Sequence, residues 1–147
     1  MVAAVAVMWR FCVGFFAIMP AIVAAVPASA VPARVDYIVD GDTFAGVVKL
    51  DGGFDVTVRV RIRNVDTPEI HGDCESEREM AARAREYLGE LIPAGSVVEL
   101  SNIKDDKYLG RIDANVMDAR GQDIGNEIVR VGLGRRYDGG HRNPWCE

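Results

Sequence analysis

From Val56 to Arg63 the chain alternates strictly. Val56, Val58, Val60 and Ile62 take every second place, and Thr57, Arg59, Arg61 and Arg63 fill the places between. A period of two is that of a strand with one face on a core, so the three arginines share the other face. The pattern breaks at Asn64-Val65, and Pro68 bars further pairing, so Asp66 to Asp73 is predicted as a loop. Upstream, Val35–Val39 and Thr43–Leu50 read as strands. Asp40-Gly41-Asp42 makes the turn between them, and Asp51-Gly52-Gly53 the hairpin that follows. Met80, Ala84, Tyr87, Leu88 and Leu91 then recur at helical spacing, behind a capping-box pair Ser76/Glu79 and ahead of Pro93 and Gly95. Val97–Ile103 and Arg111–Met117 are further strands, Lys104–Gly110 a polar loop between them, and Ile124–Val131 a short helix. The tail from Gly134 has no period.

Five strands and two helices in the order β-β-β-α-β-β-α give a mainly β, α+β fold. At this size the expected architecture is a five-stranded β-barrel of the oligonucleotide-binding (OB) type with two packed helices. This domain spans residues 31–147. Residues 1–30 differ from it: one charge, Arg10, precedes an apolar run over Phe11–Val26, and Ala28-Ser29-Ala30 offers a cleavage pattern. That combination predicts a secretory signal and an exported protein, periplasmic or secreted, without stable membrane insertion once the signal is removed. Retention as a membrane anchor over residues 11–26 is the alternative.

The chain has 17 basic and 22 acidic residues, for a net charge of −5. Loss of Arg10 with the leader would make it −6. Passive coating of nucleic acid calls for a positive field, so any phosphate chemistry must rely on a local cationic pocket. Of three cysteines, Cys12 belongs to the leader. Cys74 and Cys146 remain, and in an oxidising compartment they form one predicted disulfide; two unpaired thiols are the other reading. Neither cysteine has a zinc-ligand partner at the usual spacing, and neither His71 nor His141 belongs to a nucleophile-base-acid set.

Three motifs carry chemistry. They are Val39-Asp40-Gly41-Asp42-Thr43, then Arg61-Ile62-Arg63-Asn64-Val65-Asp66-Thr67-Pro68-Glu69, then Asp106-Lys107-Tyr108-Leu109-Gly110-Arg111. Together with Asn126–Leu133 they resemble the staphylococcal nuclease (thermonuclease) family, in the family's order and over nearly the whole chain after the leader. The resemblance implies an endonuclease that hydrolyses DNA and RNA, single strands preferentially, to a 5′-hydroxyl and a 3′-phosphate, acting as a monomer. It implies one calcium ion on Asp42, Asp66 and the Thr67 carbonyl, with Glu69 as general base and Arg61 and Arg111 stabilising the transition state. It further implies substrate-phosphate contacts from Lys107 and Tyr108 and a base-stacking role for Tyr137. The family's usual Lys-Tyr-Gly-Arg is here lengthened by Leu109.

These residue types suit the chemistry on their own terms. Hard carboxylate oxygens suit calcium, a carboxylate beside a bound phosphate can deprotonate water, and guanidinium forks grip phosphoryl oxygens in pairs. Each residue also has a plainer role open to it. Arg61 could be one of three solvated arginines, Asp40, Asp42 and Asp66 turn formers, Arg111 the first residue of a strand, Lys107 and Tyr108 a solvated loop, and Tyr137 a packing residue. A non-catalytic module on the same barrel, binding nucleic acid or a partner, is the competing functional reading.

Overall fold

The computed structural model describes residues 30–50, 52–106 and 110–146. The leader-like stretch before residue 30 and the loop residues Lys107, Tyr108 and Leu109 lie outside the described residues. The elements are β1 (Val31–Asp40), β2 (Thr43–Lys49), β3 (Asp55–Ile62), β4 (Val65–Asp66), α1 (Glu75–Leu91), β5 (Val97–Asp105), β6 (Arg111–Met117), α2 (Ile124–Arg130) and β7 (Arg135–Arg136).

The expected barrel is present. Five strands close in the order β1-β2-β3-β6-β5, with β5 returning to pair antiparallel with β1. Among the described strands only β3 and β6 pair in parallel, and their register sets Arg59 beside Arg111 and Arg61 beside Asp113. A parallel neighbour needs a long crossover. The chain between β3 and β6 supplies it, and that chain holds α1. The valines of β3 point inward only at its far end: Val60 and Ile62 are buried, whereas Val56 is exposed. The core is built from these two with Val35, Phe44, Val98, Leu100, Ala114 and Val116, closed by Ala84, Leu88 and Ile92 of the α1 end and Ile124 and Ile128 of α2.

β5 runs to Asp105, two residues into the predicted Lys104–Gly110 loop, because Lys104 and Asp105 still pair with Asp113 and Ile112 of β6. Three further local features differ from the sequence reading. The first is the start of α1. Its N-cap is Cys74, which makes no side-chain cap bond, and Ser76 already belongs to the helix. The carboxylate that reaches back is Glu77, not Glu79. Its oxygens accept from the backbone N–H of Asp73 and of Glu69, each at 3.2 Å. A glutamate at the third helical position satisfies free N–H groups ahead of the helix in this way. The Ser76/Glu79 spacing thus matched the motif without being its site.

The second difference is that Asp66 begins no loop: Val65–Asp66 forms a two-residue strand. The third is its partner, β7, within the tail that showed no period, where Val65 pairs with Arg136 and Asp66 with Arg135. What delivers the tail there is the end of α2. Asp123 caps its start, accepting from Asn126 N at 2.8 Å. Gly132, at φ 78°, ends it: Gly132 N donates to Val129 O and Leu133 N to Ile128 O, both at 3.1 Å. That pair of bonds around a left-handed residue reverses the chain towards β4. Among the described residues no helix is long and apolar enough to cross a membrane.

Candidate active site

The Asp40-Gly41-Asp42 turn is pressed against the rest of the site by its glycine. A Cβ on Gly41 would come 2.7 Å from the Ala84 methyl and 2.9 Å from Thr67 Oγ1, so only glycine lets this turn lie flat on α1 and on the chain after β4. Asp42 N donates to Asp40 Oδ1 at 3.1 Å, which makes Asp40 the side-chain brace of the turn, and Ile62 N donates to Asp42 O at 2.8 Å. Asp42 is thereby held at the end of β3, next to Arg61 and Asp66.

Arg61 is no solvated strand residue. Its side chain is only 11% exposed, with Nη1 3.0 Å from Asp42 Oδ2 and Nη2 4.0 Å from Asp66 Oδ1. One guanidinium therefore spans the two buried aspartates. Arg63 instead donates to Asn102 O at 2.9 Å, and Arg59 is exposed at the mouth. Thr43 Oγ1 donates to Asp42 Oδ1 at 2.9 Å. Thr67 is buried, with its Oγ1 packed against Gly41 of the same turn.

Burial pushes the Asp42 carboxyl up to about 7; Arg61 pulls it down, but Asp40 pushes it up again. In the folded protein the group keeps its proton to about pH 7, whereas the unfolded chain releases it near the ordinary value of 3.8. Stability of the cation-free protein consequently falls as pH rises between those values, and the loss is complete above them. In chelator, the stability of the wild type should drop from pH 5 to pH 7, by an amount on the order of a few kcal/mol, and level off above that, read from thermal melts. Asp42→Asn should flatten that slope. A wild-type melt that does not change over this range would refute the assignment.

Asp42, Arg61, Glu69 and Arg111 line one open cleft of about 1100 Å³, together with Asp40, Arg59, Asp106 and Tyr137. Arg111 bonds through Nε to Asp106 Oδ2, a partner that the sequence reading passed over although Asp106 begins the third motif. Tyr137 is half-buried and is among the residues lining the cleft; its hydroxyl donates to Gly140 O at 2.8 Å. His141 lines the same cleft and is exposed, and His71 is exposed outside it.

The disulfide expected between Cys74 and Cys146 is formed, with Cα atoms 6.0 Å apart. It carries the tail back across the site, bringing in two residues that no motif flagged. Arg142 Nε lies 2.9 Å from Asp66 Oδ1, and its Nη1 donates to Glu69 Oε1 at 2.7 Å. Trp145 Nε1 donates to Asp66 Oδ2 at 3.3 Å, and Arg135 stacks 3.6 Å over the Trp145 ring. The available signal was the cysteine pair itself: joining Cys146 to Cys74 puts Arg142 and Trp145 beside the loop that carries Glu69. Glu77 lies within ligand distance of both cysteines, but sulfurs bonded to each other offer no thiolate, so this trio holds no metal. Asp42, Asp66 and the Thr67 carbonyl are the set that suits a hard cation. They are buried oxygen donors, and Asp66 Oδ1 has no aligned hydrogen bond despite its buried position.

The class this defines is an OB-type barrel with an acid-and-arginine cleft lined from β1, β2, β3, β5 and β6. The staphylococcal nuclease homologue family matches residues 59–144, more than half of the sequence, and the chain belongs to that family. No curated protein matches it. Members of this family are usually nuclease hydrolases, and such domains generally bind nucleic acid.

Proposed function

We propose that this protein is an exported, calcium-dependent endonuclease that hydrolyses the phosphodiester bonds of DNA and RNA and leaves 3′-phosphate ends. The observation that carries the reading is the convergence of Asp42, Arg61, Glu69 and Arg111 on one cleft, with Asp66 tied to them through Arg61. Two arginines and a solvent-accessible carboxylate around a pair of buried aspartates suit attack of water on a phosphate diester. Glu69 would take the proton of the attacking water at Oε1 or Oε2. Arg61 and Arg111 would hold the non-bridging oxygens, where charge gathers as phosphorus becomes five-coordinate. A calcium ion held by Asp42, Asp66 and the Thr67 carbonyl would add positive charge beside the same oxygens. This local concentration of cations offsets the acidic balance of the chain. Tyr137, which lines the cleft, supports a preference for unpaired bases, which can stack on it. The disulfide supports export, since such bonds persist in oxidising compartments.

The test is cleavage of end-labelled single-stranded DNA by the purified protein in calcium, and again in excess chelator. Cleavage that stops in chelator and yields ends sensitive to a 3′-phosphatase is the expected result. Calcium-supported binding without cleavage would instead establish a non-catalytic module.

A further inference from the structure

Arg142 occupies an unusual position for a residue of a C-terminal tail. It bridges Asp66, assigned above to the cation, and Glu69, assigned to the attacking water, and its side chain is 40% exposed to the cleft. Asp66 Oδ1 receives two guanidinium groups, Arg142 at 2.9 Å and Arg61 at 4.0 Å, yet no hydrogen bond to it is aligned. A buried carboxylate oxygen crowded by cations but not properly bonded is one whose better ligand is something else. A divalent ion on Asp66 and the Arg142 guanidinium compete for that oxygen, since at such distances the two positive charges repel in a partly buried site.

Once displaced, Arg142 cannot leave. Upstream, Tyr137 N is bonded to Asn64 O at 3.2 Å and Asp66 is paired with Arg135; downstream, Cys146 is bonded to Cys74. Between these anchors the segment is short, and its Arg142 lines the cleft that Arg61 and Arg111 line, 5.6 Å from the Tyr137 ring. A guanidinium released there still has Glu69 within reach, but a strand bound in the same cleft brings phosphate oxygens that compete for it, and a planar fork grips those in pairs.

Resting on the nuclease reading above, we propose that Arg142 is a third phosphate-binding guanidinium, held in reserve by Asp66 and Glu69 until the divalent ion takes Asp66. The exchange makes ion and nucleic acid help each other bind. Without substrate the ion must displace Arg142 to no gain; with substrate the displaced arginine finds a phosphate. Such coupling is reciprocal by thermodynamic necessity.

Calorimetric titration of calcium into the oxidised full chain tests this, alone and with a nuclease-resistant phosphorothioate oligothymidylate at saturation. For the wild type the oligonucleotide should tighten calcium binding about fivefold or more, the lower end of usual coupling. Arg142→Gln should bind calcium alone several-fold more tightly than the wild type and lose most of the coupling, while Arg142→Lys keeps a charge and part of both effects. A retained melting temperature and an intact disulfide exclude misfolding as the cause. Unchanged calcium affinity in Arg142→Gln, or undiminished coupling, overturns the proposal, and calcium-dependent cleavage by the wild type shows that the nuclease reading survives it. Failure of wild type and variant alike to bind calcium counts against both.

Discussion

The Glu69→Gln protein is expected to fold, to bind calcium and single-stranded DNA, and to cleave on the order of 10²–10⁴-fold more slowly than the wild type, the range that a positioned general base contributes. The substitution removes the proton acceptor and keeps the shape. The Glu69 side chain is 56% exposed, and its contact with Arg142 is made at the surface. What fixes the loop is the backbone of Glu69, bonded to Glu77, which the change leaves alone. A drop in kcat with the melting temperature unchanged is the signature to measure. A loss of less than tenfold would mean that water is activated elsewhere, and Glu69 would then be only an anchor for Arg142.

Reducing the Cys74–Cys146 bond should cost on the order of 4 kcal/mol, the chain-entropy expectation for a loop whose ends are 72 residues apart. For a domain of this size that is a fall in melting temperature on the order of 15 °C. The effect extends beyond stability, because the bond is the downstream anchor of the segment that places Arg142 and Trp145 on Asp66. A Cys74→Ser/Cys146→Ser double variant should reproduce the reduced protein's melt without reductant. Equal melts with and without reductant would show that packing of Trp145 against Arg135 and Asp66 holds the tail unaided.

Much of this was readable in the chain, because much of it is local. The β3 alternation, the stripe on α1 and the Asp-Gly-Asp turn are repeats or short motifs whose geometry depends on neighbours in sequence. Arg61, Asp66 and Glu69 fall within nine residues, so one strand end and the chain leaving it bring them together. The cysteine pair was legible by elimination. Arg142, Trp145 and Asp106 were not, since nothing local distinguishes an arginine in a glycine-rich tail until the tail's route is known. That route depends on Gly132 turning the end of α2 and on a two-residue pairing too short to leave a period. Glu77 was missed for a different reason: the capping-box rule was sound, but the helix begins two residues earlier than its serine suggested.

The two bonds that Glu77 accepts have a consequence for how this protein fails on heating. They tie the backbone of Glu69 to the first turn of α1, and Ala84 and Leu88 further along α1 are buried in the barrel. The segment bearing Glu69 therefore has no local melting step of its own; it loosens when the helix detaches from the barrel. Heat inactivation and global unfolding should then be a single event, with no warmed, folded but idle form between them.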